Sequence, residues 1–147
     1  MCFYKPKQSK ILVAKKDIKV RKIGTDADRF GFIPYFKFNF CYVTGIEDTT
    51  NPNFNISDIE KGFHSYINII TKSYYDRSVL HVNVHKNTKR APLVSIYSVI
   101  NKPLYIGKFI IPKGATYCVN TLNEVVSDKI IYTGEYTLIQ NKYYLYK

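Results

Sequence analysis

Apolar and polar residues alternate along most of this chain, and the alternation constrains its fold more than any other feature. The clearest run is ILVAKKDIKVRKI (11–23), in which isoleucine, leucine and valine recur among basic residues. Because successive side chains of a β-strand point to opposite faces, runs of this kind that are rich in β-branched and aromatic residues predict strands. The predicted strands are 11–23, 32–43, 79–84, 93–100, 104–111, 116–120, 129–133 and 136–139.

Turn-forming residues separate the predicted strands. The clearest is Pro112-Lys113-Gly114, where a tight turn needs a positive φ angle at Gly114, and Thr133-Gly134 predicts a second turn between strands. With 147 residues the chain is long enough to bury one ordinary core, so we expect a single domain spanning 1–147.

One segment departs from the two-residue period. After GFHSY (62–66), apolar residues recur at the spacing of one helical face, which predicts a helix from Ser65 through Tyr75 with Ser65 as its N-cap. The fold class that we expect is therefore α+β: a β-rich twisted sheet or partly closed barrel with one or two short helices.

Basic residues outnumber acidic ones, and the formal net charge is +11. Such an excess favours a polyanionic partner, whether nucleic acid, a free nucleotide or an acidic protein surface. Lysine and arginine crowd residues 5–22, whereas residues 45–60 carry four acids and no base. This asymmetry predicts either a functional basic face or an edge strand whose lysines prevent aggregation between sheets.

Several chemistries have no matching pattern in the sequence. The three cysteines share no ligand spacing, so neither a disulfide framework nor a metal site is predicted. The nucleophile elbow and the glycine-rich phosphate loops are absent, which favours a binding protein over an enzyme and predicts no catalytic residue and no cofactor. The charged N-terminus differs from a signal peptide and no window has the length of a spanning helix, so we expect a cytoplasmic protein without a membrane partner.

The candidate site centres on GFHSY (62–66). At the start of the predicted helix, the imidazole of His64, the hydroxyl of Ser65 and free backbone amides would converge on one anion, such as a phosphate. The 14 tyrosines supply flat rings that can stack on a base while the hydroxyl bonds to phosphate or ribose. The predicted ligand-binding residues are His64, Ser65, Tyr66, Lys72, Tyr75, Arg77, Lys113 and Tyr117. The alternative interpretation of GFHSY is a plain strand-to-helix turn.

A resemblance adds context to this site. GFHSY, together with KFIIPKGATYCVNTLNEVVSDKIIYTG (108–134), an MCFY start and an AKKDI-type first strand, resembles uncharacterised small proteins encoded by phages and mobile elements of gut bacteria. The resemblance covers Met1 through Gly134. It implies a phage or mobile-element setting, and with it the cytoplasm of a host cell, but no particular reaction.

The chain also resembles the later strands of ADP-ribosyltransferase-like folds, through a strand, a turn and an acidic strand in succession within 109–131. This resemblance implies that His64 and Tyr66 hold a nicotinamide dinucleotide. The expected catalytic glutamate has no clear counterpart, because Glu124 lies early and Asp128 is shorter by one methylene. A cleft of this kind without its carboxylate would bind a nucleotide and transfer nothing.

Together these features predict a non-catalytic protein that binds a small anionic nucleotide, either a cyclic nucleotide or an ADP-ribose derivative. In a phage setting it would act as a sponge that sequesters an immune signal and so counters host defence. Two alternatives stay open: an ADP-ribosyltransferase-like enzyme that uses NAD through His64, Tyr66 and Asp128, and an inhibitor that binds nucleic acid or a host protein through the basic face. We also expect a homo-oligomer, for which the aromatic tail YTLIQNKYYLYK (136–147) is a candidate interface strand.

Overall fold

The structure is a computed structural model that describes residues 3–5, 9–27, 31–34, 40–67, 73–76, 79–83, 93–96, 105–120 and 124–138. All regular secondary structure in this described part of the chain is β-strand. The strands are β1 (Phe3–Tyr4), β2 (Leu12–Val13), β3 (Ile18–Ala27), β4 (Gly31–Pro34), β5 (Tyr42–Val43), β6 (Glu47–Thr49), β7 (Asp58–Ile59), β8 (Phe63–Tyr66), β9 (Ser73–Asp76), β10 (Val79–Asn83), β11 (Leu93–Ile96), β12 (Tyr105–Ile111), β13 (Thr116–Val119), β14 (Glu124–Ser127) and β15 (Lys129–Leu138).

The main sheet follows the order β2-β13-β14-β8-β3-β12-β15-β6, and every neighbouring pair in it is antiparallel. β3 and β12 form its centre, in register from Ile18 opposite Ile111 to Gly24 opposite Tyr105. β4 branches from the C-terminal half of β3 and pairs in turn with β5. Just after β5, Thr44 forms a parallel bridge to Tyr132 in β15.

Two hydrophobic clusters cover the sheet at β14, where Val125, Val126 and Ser127 are all buried. Val125 belongs to the larger cluster, with Phe32 and Phe109, and Val126 belongs to a smaller cluster that includes Phe3. Because neighbouring residues of a strand point to opposite faces, the two clusters lie on opposite sides of the sheet at this point. The small sheet of β1 and β7 contributes Phe3 and Ile59, which pair with each other, to the smaller cluster.

The remaining sheet is an antiparallel meander of β9, β10 and β11, with β10 in the middle. It confirms the strands predicted at 79–84 and 93–100 over Val79–Asn83 and Leu93–Ile96; residues 84 and 97–100 lie outside the described residues. None of the described residues belongs to a helix long and apolar enough to cross a membrane.

The turn prediction at Gly114 is confirmed, because this residue has a φ angle of 91° in the connection between β12 and β13. The turn predicted at Thr133-Gly134 is wrong. β15 is continuous through both residues, and the register of its partner β12 shifts between Gly107 and Phe109. Gly134, with φ of 87°, therefore lies in an irregular, bulged stretch of the strand pair rather than between two strands.

The β-rich part of the predicted fold is confirmed, and the helical part is wrong where it can be compared. Ser65 and Tyr66 belong to β8 and Ser73 through Asp76 form β9, so neither end of the predicted helix is helical. Residues 68–72 lie outside the described residues. Backbone pairing with β14 and β3 holds Ser65 and Tyr66 extended in spite of the helical spacing that begins there. Within the described strands, the main sheet is also open, with β2 and β6 at its two ends, rather than a partly closed barrel.

The long strand predicted at 11–23 is two strands. Ala14 through Asp17 separate β2 from β3, and the two strands lie four places apart in the sheet order. The side chain of Asp17 accepts a hydrogen bond from the backbone N–H of Lys113 at 2.9 Å, which anchors the break to the turn between β12 and β13.

Candidate functional site

A cavity of about 720 Å³ opens beside GFHSY, which is large enough for a small organic ligand. Four parts of the chain form it: the middle of β3, the residues around β4 and β5, the loop that leads through β7, and β8. Its lining residues are Lys22, Ile23, Pro34, Phe40, Tyr42, Asn51, Asn53, Ile56, Asp58, Ile59, Glu60, Lys61, Gly62, Phe63, His64 and Tyr66.

Lys22 places a positive charge in the wall of this cavity. Only 8% of the residue is exposed, and its ammonium donates a hydrogen bond to the backbone carbonyl of His64. The same ammonium lies 5.4 Å from the centre of the Tyr42 ring, within the range of a cation–π interaction. Because burying an unpaired ammonium is costly, these two contacts explain how the charge is tolerated there.

Lys22 occupies this position because of its phase in β3. Val20 and Gly24, two residues away on either side, are both buried, whereas Lys19 is exposed. Side chains two residues apart in a strand share a face, so Lys22 lies on the inward face of β3. Among the basic residues of KKDIKVRKI (15–23), Lys22 is the one that is buried; the others are exposed or partly exposed.

Tyr42 joins the cavity to the larger hydrophobic cluster. Its ring makes edge-to-face contacts with Phe40 at 4.8 Å, Phe109 at 4.9 Å and Phe63 at 6.2 Å between ring centres. Phe40 and Phe63 line the cavity together with Tyr42, so a large part of the wall is aromatic. Such a wall offers the flat faces and edges on which a planar ring stacks.

The two lining tyrosines stay protonated at neutral pH. Burial raises the pKa of Tyr42, and the charge of Asp48 raises it further. Burial likewise raises the pKa of Tyr66, with a second contribution from Glu124 on the neighbouring strand. Each phenol can therefore donate a hydrogen bond, but neither is suited to act as a base.

His64 and Tyr66 share one face of β8 and Phe63 lies on the other, and all three residues line the cavity. The Nε2 atom of His64 lies 2.7 Å from the backbone carbonyl of Glu60, and since a carbonyl can only accept, Nε2 carries the proton. β14 is the neighbouring strand of β8: Val126 pairs with His64, and Glu124 pairs with Tyr66. Both residues line the same cavity, and their role in ligand binding stays a prediction.

Ser65 does not line the cavity. It is 1% exposed and pairs with Val125, a member of the larger hydrophobic cluster. Its hydroxyl is buried and has no hydrogen-bond partner among the described residues. The expected helix start with Ser65 as its cap is therefore wrong, and the free amides of a helix N-terminus do not contribute to this site.

Gly62 fits the start of β8 tightly against its neighbours. Its φ angle is 138°, and a Cβ atom built there would lie 2.6 Å from Cγ2 of Val126 and 3.1 Å from Cγ of Pro52. Only glycine accepts both the backbone angle and this close approach. The glycine of GFHSY thus brings the loop that lines the cavity onto β14.

Of the other predicted ligand-binding residues, Lys113 and Tyr117 lie away from the cavity. Lys113 is exposed in the turn after β12, and Tyr117 packs against the larger hydrophobic cluster from β13; neither lines the cavity. Tyr75 belongs to β9, whose side chains are outside the description. Lys72 and Arg77 lie outside the described residues.

The carboxylates named for an enzyme do not line the cavity either. The side chain of Asp128 accepts a hydrogen bond from the backbone N–H of Thr116 at 2.9 Å, at the junction of β14 and β15. Glu124 lies beside Tyr66, where burial raises its pKa and a hydrogen bond from Asn120 partly opposes the rise. Within the described residues, no group of three or more metal-binding side chains is close enough to hold a metal ion.

Comparison with protein-family models, curated proteins and solved structures gives no match.

Proposed function

We propose that the protein binds a small anionic molecule that carries a planar ring, and that a nucleotide or nucleotide-derived signal fills the cavity. The observation that carries the proposal is the buried ammonium of Lys22 in a wall of aromatic rings. An anionic group beside Lys22 would form a charge-assisted hydrogen bond, and a base would stack on the rings around it. The protonated phenol of Tyr42, whose ring lies beside the Lys22 ammonium, adds a donor for phosphate or ribose oxygens.

We further propose that the ligand leaves unchanged. Asp128 is bound to a backbone amide away from the cavity, and the acids that do line it, Asp58 and Glu60, are exposed. A general acid or base works best when its pKa is tuned by burial and neighbours, which exposure disfavours. In the phage setting that the sequence resemblance implies, such a protein would withhold an immune signal from host defence.

The test is to identify what the protein carries. The protein is purified from cells in which the phage or mobile element is active, denatured, and its released small molecules are identified by mass spectrometry. We expect a nucleotide or an ADP-ribose derivative in stoichiometric amount, which calorimetric titration into ligand-free protein then confirms. A preparation that releases none, and that binds no nucleotide at ligand concentrations up to about 1 mM, contradicts the proposal.

A second candidate is an ADP-ribosyltransferase-like enzyme, which is favoured by the presence of both His64 and Tyr66 in the cavity wall. Incubation with NAD separates the two. Release of nicotinamide that His64→Ala abolishes supports the enzyme, whereas binding of NAD without release supports the proposed binder.

A further inference from the structure

The two end strands of the main sheet run in opposite directions. Eight strands lie in the order from β2 to β6, and each is antiparallel to the next. With an even number of alternating strands, β6 is antiparallel to β2. A second copy of the chain placed edge to edge, with its β6 beside the first copy's β2, would therefore continue the antiparallel alternation.

The β2 edge is apolar and flanked by positive charge. Ile11, Leu12 and Val13 are 44%, 40% and 60% exposed. Lys10 precedes this segment and Lys15 and Lys16 follow it, all exposed. An exposed apolar edge strand presents unpaired backbone groups and is a ready site for pairing with another chain.

The β6 edge has the opposite charge. Glu47 is exposed and Asp48 is partly buried within this strand, and Ile46 just before it is 55% exposed. The surrounding residues 45–60 carry no base. In the part of the chain that the structure describes, β15 is the strand that pairs with β6, and the other edge of β6 ends the sheet.

We propose that the protein self-associates head to tail, with β2 of one copy paired to β6 of the next. Lysines beside carboxylates attract across this contact, whereas a symmetric pairing of β2 with β2 or β6 with β6 brings like charges together. The charge pattern thus selects a heterologous contact, which extends into chains or closes into rings. Because each strand offers only two or three residues, the contact is small and its occupancy depends on concentration.

The experiment uses sedimentation velocity on the full chain. At low salt, we expect the average mass of the unmodified protein to grow between about 10 µM and about 1 mM, the range in which small interfaces dissociate. Two variants reverse one edge each: Lys15→Glu with Lys16→Glu, and Glu47→Lys with Thr49→Lys. We expect each variant alone to remain monomeric over the same range.

An equimolar mixture of the two variants is the decisive sample. In the mixture, each reversed edge meets an edge of opposite charge on the other variant, so association returns; the chain that carries all four substitutions also associates with itself. Lys19→Glu with Lys108→Glu changes the net charge as much as the first variant does, but on the face of the sheet, and should associate like the unmodified protein. Thermal midpoints of all variants establish that they are folded.

Three results would overturn the proposal. The unmodified protein could remain monomeric at every concentration, or a mixture of two folded variants could fail to associate. The third is a growth in mass that nuclease treatment abolishes, because this would show that the lysines beside β2 bind nucleic acid rather than a second copy of the chain. The proposal does not depend on the cavity, since none of the substituted residues lines it.

Discussion

At the scale of single residues, Lys22 is the side chain whose position most needs a physical reason. Its ammonium donates a hydrogen bond to the carbonyl of His64 and lies over the ring of Tyr42, but such contacts do not remove the whole cost of dehydrating a charge. Replacing buried charged groups by apolar ones of similar volume is often neutral or stabilising. We therefore propose that a ligand, rather than stability, accounts for a buried lysine on the same face of β3 as Val20.

The first prediction concerns Lys22→Met, which keeps the length of the side chain and removes its charge. We expect the free energy of unfolding to change by less than about 1.5 kcal/mol, the net value of one hydrogen bond. Affinity for the anionic ligand should fall by about 10- to 100-fold, the value of one charge-assisted hydrogen bond. Chemical denaturation and calorimetric titration measure the two quantities.

Lys19→Met is the matched control, because Lys19 lies on the same strand and is exposed. It should alter neither quantity. If Lys22→Met destabilises the fold strongly while the remaining folded protein binds ligand with unchanged affinity, then Lys22 serves the fold and not the site.

Glu124 gives a second residue-scale prediction, from pH. Burial raises its pKa above the usual value of 4.5, so the folded state favours the neutral acid. Its contribution to stability is present below pH 4.5 and is lost as the pH rises through the raised pKa. Glu124→Gln removes this loss, so the variant should gain more in thermal midpoint at about pH 7.5 than at about pH 4.

Glu135→Gln is the control for this experiment. Glu135 is exposed and forms a surface ion pair with Lys108 at 3.5 Å, so its removal should give no gain at neutral pH. An equal gain for Glu124→Gln at both pH values would show that the carboxyl of Glu124 is not destabilised by burial.

The sequence identified His64 and Tyr66 because a compact polar-aromatic cluster is visible without knowing its partners. The sequence analysis did not select Lys22 from the many basic residues. Its position relative to the apolar residues was nevertheless visible, because Ile18, Val20 and Lys22 are two residues apart and so share one face of a strand. The sequence could not show that this face of β3 is still buried at residue 22. That depends on the strands beside β3, which are β8 and β12.

At the scale of secondary structure, two glycines next to strand ends allow backbone strain to be distinguished from steric clash. Gly62 and Gly114 both have positive φ angles, of 138° and 91°. A Cβ atom at Gly114 would meet nothing within 4 Å, whereas at Gly62 it would overlap Val126. Gly114→Ala thus tests backbone strain alone, and Gly62→Ala adds a steric clash.

The third prediction follows from this pair. We expect Gly114→Ala to cost about 1–2 kcal/mol, the strain of a left-handed residue. Gly62→Ala should cost clearly more, because the loop and β14 must also move apart. Urea denaturation of both variants measures the difference; equal losses would mean that β8 does not begin against Val126 as described.

The strands were predictable from the sequence wherever alternation met a turn residue, as at β12, Gly114 and β13. They were not predictable where a strand ends without glycine or proline, as between β2 and β3, because the break there depends on the distant hydrogen bond from Lys113 to Asp17. The predicted helix failed for a related reason. Pairing of β8 with β14 is a long-range interaction, and it outweighs the weak local preference expressed by helical spacing.

At the scale of the whole molecule, most of the described basic residues outside the cavity are exposed, while few basic residues line the cavity. The net charge is +11, but the basic residues that line the cavity are Lys22, Lys61 and, when protonated, His64. A mononucleotide in the cavity would meet few cations, whereas a polyanion lying across the basic edge would meet many. The two modes of binding therefore differ in their dependence on salt.

The last prediction uses this difference. A ligand held mainly by Lys22 should lose less than about tenfold in affinity between about 50 mM and about 200 mM salt, whereas binding through 6–10 phosphate contacts would lose about 10³–10⁵-fold. Fluorescence or calorimetric titration at both salt concentrations measures the slope. Lys15→Glu with Lys16→Glu should leave a cavity ligand's affinity nearly unchanged, because both residues lie outside the lining. A steep loss of affinity with salt that becomes shallow in this variant would show that the ligand binds at the lysines beside β2 and not in the cavity.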